Sequence, residues 1–225
     1  MGTLLLRLAA PIQAWGVESQ FEIRKTGREP TKSGVVGLLA AALGRGRDVP
    51  PDDLNVLRFG VRVDQEGQVE RDFHTAHREA DKPPYTTDRY YLTDAVFLVG
   101  LEGDGALLAS LEQALAAPRY PLFLGRRSCP PTLPVCLGVR QLPLEEALRA
   151  EPWLAAQWRQ KKLPGALRML ADCEPGELPP VRRRDLPVSF SPLRRVYGYR
   201  GLKELGYVDM KTAEDGTSHD AMTEL

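Results

Sequence analysis

One segment limits the folds open to this chain more than any other: residues 28–44, Arg-Glu-Pro-Thr-Lys-Ser-Gly-Val-Val-Gly-Leu-Leu-Ala-Ala-Ala-Leu-Gly. It brings an extended, cation-bearing run (Arg24, Lys25, Arg28, Lys32) to the start of an apolar helix predicted over 33–43. Thr31 or Ser33 can cap that helix, and Gly44 can close it in a left-handed conformation. The unpaired N–H groups of a helix start carry partial positive charge, so cations beside them predict a seat for phosphate and a protein that holds an anionic polymer. The helix mixes small residues (Gly34, Gly37, Ala40, Ala41, Ala42) with large ones (Val35, Val36, Leu38, Leu39, Leu43), which suits close packing on a sheet. A capped core helix with solvated lysines is the plainer alternative. A nucleotide-hydrolysing P-loop is excluded, because Thr26 stands where its first glycine belongs and Thr31 replaces the glycine before Lys32-Ser33.

The 225 residues suffice for one large domain, or a domain with an appendage. No apolar run approaches the roughly 20 residues that span a bilayer, and Met1 leads at once into a short strand-like run rather than a signal peptide. Cys129, Cys136 and Cys173 form no C-x-x-C pair, so a disulfide framework or structural zinc is not expected and a reducing cytoplasm is. The net charge of zero hides a segregation: +4 over residues 1–47, −8 over 48–118, +8 over 119–208 and −4 over 209–225. That predicts a basic face for nucleic acid and an acidic face for something else, such as protein neighbours.

Strands are predicted at 4–9 and 56–64, with a turn at 65–67 and a returning strand at 68–73. Residues 74–88 lack any period and read as a long excursion. Strands follow at 89–92 and 95–101, a helix at 105–117 ended by Pro118, and a last strand at 137–142. The order β-α-β-β-α-β predicts an α+β, ferredoxin-like (RRM-like) palm over 1–142, with a protruding thumb insertion at about 65–94. Residues 143–211 are expected to form a smaller C-terminal extension, with short helices at 144–150 and 153–162 and strands at 185–190 and 194–199. The polar, acidic residues 212–225 predict a frayed tail.

A second cationic cluster lies in residues 118–130, Pro-Arg-Tyr-Pro-Leu-Phe-Leu-Gly-Arg-Arg-Ser-Cys-Pro. Gly125 permits an unusual turn, and Arg126, Arg127 and Ser128 follow with donors suited to phosphate oxygens. In a ferredoxin-like layout this loop comes within reach of the first helix's start. His74 and His77 could begin a metal site, but only His219 remains elsewhere; stacking, hydrogen bonding, or general acid–base work on RNA are the other readings of His74. Tyr85, Arg89, Tyr90 and Tyr91 interleave rings with a guanidinium, and such planar groups stack on unpaired bases at about 1–3 kcal/mol each. One of Tyr90 and Tyr91 must face inward in a strand, which makes Arg89 the preferred base contact. Arg182, Arg183, Arg184, Arg194 and Arg195 suit phosphate contact or open solvent equally, and Trp153 and Trp158 suit core or interface.

Residues 6–16 (Leu-Arg-Leu-Ala-Ala-Pro-Ile-Gln-Ala-Trp-Gly), 26–39, 72–75 (Asp-Phe-His-Thr), 89–92 (Arg-Tyr-Tyr-Leu) and 118–130 together resemble the CasD family of type I-E CRISPR Cascade complexes, within the RAMP superfamily. The resemblance runs in order through residues 4–140 and is loose beyond. It implies a non-catalytic RNA-binding subunit of an antiviral ribonucleoprotein. Such a subunit caps the 5′ handle of the CRISPR RNA and contacts a CasC-type backbone subunit and a CasA-type large subunit, with transient contact to target DNA. It implies a thumb at 74–88 with its flanking strands, Arg89 stacking on a displaced handle base, and phosphate contacts from the Lys32/Ser33 helix start and the Arg126/Arg127 loop. The full RNA-binding set expected is Arg24, Lys25, Thr26, Lys32, Ser33, Gly34, His74, Arg89, Tyr90, Gly125, Arg126, Arg127 and Ser128, with no cofactor, metal or membrane. A related branch cuts CRISPR RNA with a tyrosine, a lysine and a histidine. This chain has no Lys-His pair for that triad, so a metal-independent endoribonuclease using His74 and Lys32 is the rival and a pure protein scaffold the third reading.

Overall fold

The computed structural model describes residues 1–16, 22–76 and 83–210. His77, His219, the tip of the predicted excursion and the predicted tail lie outside these residues. The elements in chain order are β1 (Gly2–Ala9), β2 (Ile12–Gln13), β3 (Ile23–Arg24), α1 (Lys32–Ala42), α2 (Asp52–Asn55), β4 (Arg58–Gln65), β5 (Gln68–Ala76) and β6 (Tyr85–Thr93). There follow β7 (Val96–Gly103), α3 (Gly105–Ala116), β8 (Cys136–Arg140), α4 (Leu144–Ala150), α5 (Gln157–Gln160), β9 (Ala166–Asp172), β10 (Val181–Ser189) and β11 (Val196–Asp209).

The protein is α+β, built on a seven-stranded sheet ordered β10-β11-β9-β4-β7-β1-β8 in which every neighbouring pair is antiparallel. β1 is buried along almost its whole length because both faces of the sheet are covered. Successive side chains point to opposite faces, so Leu4, Leu6 and Leu8 join the core under α1 and α3, while Leu5 joins Leu98, Leu144 and Leu148 under α4. Burying each such leucine contributes about 1.5–3 kcal/mol. On α1, Val35, Val36, Leu38 and Leu39 face the core.

Two features of the topology differ from the sequence reading. Residues 68–73 do not pair back on the preceding strand. β5 pairs instead with β6, from Gln68 opposite Thr93 to Ala76 opposite Tyr85, so residues 74–76 and 85–88 of the aperiodic excursion belong to a long strand pair. Its exposure on both faces, with Phe73 68% accessible, removes the period-2 burial that would have carried the predicted strand past residue 73. β6 also pairs with β2 and β3 to make a second, four-stranded sheet. Beyond the predicted strand near 137–142, β9, a strand without a predicted counterpart, pairs with β4, and β11 and β10, which overlap the predicted strands at 194–199 and 185–190, extend the same sheet outward.

A buried ionic cluster joins these late strands to α1. Asp172 accepts from Lys32 Nζ at 2.9 Å and from the Phe59 backbone N–H at 3.1 Å, and its other oxygen accepts from Arg200. Arg200 is bidentate to Asp185 at 2.6 and 2.9 Å, and Asp185 accepts the Lys32 backbone N–H at 3.0 Å. Two cations and two carboxylates thus balance inside the fold, which is the condition under which buried charge is tolerated.

Candidate nucleic-acid interface

The start of α1 is capped as expected, with Thr31 Oγ1 accepting the Gly34 N–H at 3.2 Å. Lys32, however, is a correction to the expected RNA-binding set. Its ammonium is buried and donates to Asp172, Leu57 O at 2.7 Å and Asn55 O at 3.2 Å, so its three donors are consumed within the fold. Asp185 likewise occupies the anion position at its backbone N–H. Thr26 is also engaged internally, accepting the Trp15 N–H at 2.8 Å and donating to Gly27 O at 3.0 Å.

Ser33 and Gly34 remain at the surface of a cleft. A β-carbon on Gly34 would lie 2.9 Å from ring atoms of Trp15, so only glycine lets that buried ring approach the helix start. The loop carrying Arg126 and Arg127 is fixed against the same place. Arg119 and Tyr120 N–H groups donate to the Ala42 and Ala41 carbonyls near the end of α1, and the Ala14 N–H donates to Leu124 O at 3.1 Å. Gly125 adopts φ +83°, and a β-carbon there would fall 1.6 Å from Ala14 O, so the turn requires glycine.

The guanidinium of Arg126 lies 4.7 Å from the centroid of the Tyr91 ring and donates through Nη2 to Arg24 O at 2.8 Å. Arg24 is the register partner of Arg89 across the β3–β6 pair, so Arg24, Arg89 and Arg126 converge on the small sheet. Arg126 Nη1 and Arg89 Nε are shielded from solvent yet have no hydrogen-bond partner among the described residues. Tyr91 is the inward ring and Tyr90 is half-buried. Lys25 and Ser128 are exposed. His74 sits on β5 with Nε2 2.9 Å from Asp72 Oδ2, a close contact without hydrogen-bond alignment. Burial pushes the Cys129 thiol up from its ordinary value, which suits a packing role rather than a reactive one.

The cleft itself holds about 530 Å³. Its floor is the outer face of α1 (Ser33, Gly34, Gly37, Ala40, Ala41), one wall is Tyr120, Phe123, Gly125 and Arg127, and the other is Phe190, Arg195 and Tyr197. Arg45 and Arg47 close one end, and among the described residues no aspartate or glutamate lines it. Arg45 is neutralised by a bidentate pair with Asp53, whereas Arg47, Arg127 and Arg195 make no hydrogen bond or ion pair to any described residue. The concavity therefore offers uncompensated positive charge, aromatic rings and a glycine-alanine surface that planar groups can approach. Sequence reasoning missed Arg47, Tyr120, Phe123, Phe190 and Tyr197 as site residues. The Gly44-Arg45-Gly46-Arg47 run after α1 was an available signal; nothing local marks Phe190 or Tyr197.

Ser33, Gly34, Gly125 and Arg127 are thus brought to one cleft, and Arg24, Arg89 and Arg126 to its neighbour on the small sheet, while His74 lies out on the hairpin. Among the described residues no group of three or more histidine, cysteine, aspartate or glutamate side chains is arranged to hold a metal.

Comparison with known proteins bears on this geometry. Residues 3–203 match the family model described as "CRISPR-associated protein (Cas_Cas5)". The "CRISPR system Cascade subunit CasD" of Escherichia coli (strain K12) is 40% identical over 173 residues, 66% of this chain and 77% of that one. A crystal structure of a Cas protein shares 40% identity at a TM-score of 0.72, covering 94% of this chain and 100% of that one. A chain of a CRISPR RNA-guided surveillance complex shares 32% identity at a TM-score of 0.78, covering 99% and 97%. The fold, the cationic cleft and these matches lead to one conclusion: this chain belongs to the CRISPR-associated Cas5 family.

Proposed function

We propose that this protein is a non-catalytic CRISPR RNA-binding subunit that caps the 5′ handle of the guide RNA in a Cascade surveillance complex. The observation that carries the reading is the hydrogen-bonded loop of residues 119–130, which holds Arg126 and Arg127 beside the start of α1 on a face without opposing carboxylates among the described residues. Its arginines neutralise handle phosphates, and rings and guanidinium planes hold unpaired bases in a bent path. On this reading β4-β7-β1-β8 with α1 and α3 is a ferredoxin-like palm, residues 143–211 its C-terminal extension, and the β5–β6 hairpin its thumb. Arg24, Lys25, Arg89, Tyr90 and His74 contact RNA along that thumb, and Ser33, Gly34, Gly125, Arg126, Arg127 and Ser128 contact it at the palm. CasC-type and CasA-type subunits occupy the protein edges, target DNA passes nearby, and the assembly works in the cytoplasm.

A nuclease built on His74 and Lys32 is not favoured, because Lys32 Nζ is enclosed by Asp172 and two carbonyls and cannot meet a reacting phosphate. The test is equilibrium binding of labelled handle RNA to the Arg126→Ala/Arg127→Ala variant. Affinity falls and the slope of log K against log salt shrinks by about 0.7 per lost phosphate contact. Unchanged affinity and slope would refute the grip.

A further inference from the structure

We infer that the β10–β11 connection is an RNA-binding wall, with Arg195 a backbone-phosphate ligand, so that the cleft is a composite seat for a single unpaired RNA strand. The inference rests on the RNA reading above but assigns a role to late residues which that reading does not use. Without Phe190, Arg195 and Tyr197 the face of α1 would be an open shelf; with them it is a cleft of about 530 Å³. The wall is held from both ends. Asp185 precedes it on β10 and Arg200 follows it on β11, and both belong to the ionic cluster that also holds Lys32 at the start of α1. Wall and floor are therefore one rigid unit, the preorganisation a binding site needs.

The chemistry of the lining selects the ligand. Arg195 comes from the β10–β11 connection, Arg127 from the loop after α3 and Arg47 from the loop after α1, and none has a partner among the described residues. Three guanidinium groups from distant parts of the chain line one cleft where, among the described residues, no carboxylate lines the surface. Tyr120, exposed by 51%, and Tyr197 supply rings to the same space. Phosphates spaced along a strand and bases free to stack satisfy both features, whereas paired bases cannot offer their faces to the rings.

The test uses full-length protein and a fluorescein-labelled RNA of the repeat-derived handle, single-stranded or annealed to its complement, with anisotropy as the readout. Arg195→Ala weakens single-strand binding about 10-fold and lowers the salt slope by about 0.7. Arg195→Glu weakens it further and Arg195→Lys restores most of it. The thermal midpoint stays at the wild-type value, since the side chain is exposed, and the annealed RNA binds more weakly throughout. Wild-type binding by Arg195→Ala and Arg195→Glu, alongside weakened binding by Arg127→Ala, would overturn the C-terminal wall and leave the RNA reading standing. Wild-type binding by all of these variants would overturn both. Displacement of the RNA by polyglutamate at equal charge concentration would mark the wall as a protein-docking surface and also overturn the inference.

Discussion

Replacing Asp172 with alanine tests whether the buried ionic cluster joins the C-terminal strands to the helix that floors the cleft. The carboxylate takes three donors: Lys32 Nζ, Arg200 Nη1 and the Phe59 N–H. The Lys32 and Arg200 side chains are only 5% and 6% exposed, so water cannot replace the lost oxygen atoms. After substitution, two buried cations face one carboxylate, Asp185, and Lys32 Nζ keeps only the Asn55 and Leu57 carbonyls. Removing one partner of a buried pair costs about 3–5 kcal/mol, and the orphaned Phe59 N–H places Asp172→Ala toward the upper end. A domain with a total stability of about 5–15 kcal/mol would lose a large part of it. Urea unfolding followed by tryptophan fluorescence should show a lower midpoint at unchanged m. The double variant Lys32→Met/Asp172→Leu removes both charges together while leaving Arg200 paired with Asp185. It should cost only about 1–3 kcal/mol, mainly for the Phe59 N–H. A loss below about 1 kcal/mol in the single variant, or a double variant worse than the single, would refute the argument that uncompensated charge sets the cost.

Two glycines give sharper tests of the site. Gly125→Ala should destabilise the fold by at least about 1–3 kcal/mol and weaken RNA binding together, because its β-carbon collides with Ala14 O in a positive-φ turn; thermal melts and anisotropy on one sample check both. Gly37→Leu should separate the two effects. Within 4 Å its β-carbon meets only Phe190, at 3.8 Å, so the leucine fills the cleft while the helix gains up to about 0.8 kcal/mol of propensity; RNA binding falls and the melting midpoint holds or rises.

The local features of the chain were legible from its residues. Thr31 capped α1 because a β-region threonine before an apolar run is a start signal, and the predicted 33–43 agrees with Lys32–Ala42 to one residue at each end. Gly125 was readable as a special turn because glycine, lacking a β-carbon, enters the positive-φ region without steric cost. Long-range partnerships were not legible. Lys32 followed by Ser-Gly looks like a phosphate ligand, and the carboxylate that claims it lies 140 residues away on a strand that carries Arg168 amid its apolar residues. The second wall of the cleft likewise comes from the predicted strands at 185–190 and 194–199, whose arginines suit phosphate contact or open solvent equally and whose place beside α1 no local pattern marks. The continuation of β5 past residue 73 and its pairing with β6 were not legible, because a strand exposed on both faces loses its alternation.

Ultraviolet crosslinking of the labelled single-stranded handle RNA to the full-length protein, with mass-spectrometric mapping of the attached peptides, tests the central claim most directly. The account predicts uncut RNA attached within residues 119–130 and 190–199, around Tyr120 and Tyr197. Crosslinks confined to the acidic segment 48–56 and the α3 surface, or recovery of a cleaved RNA, would contradict it.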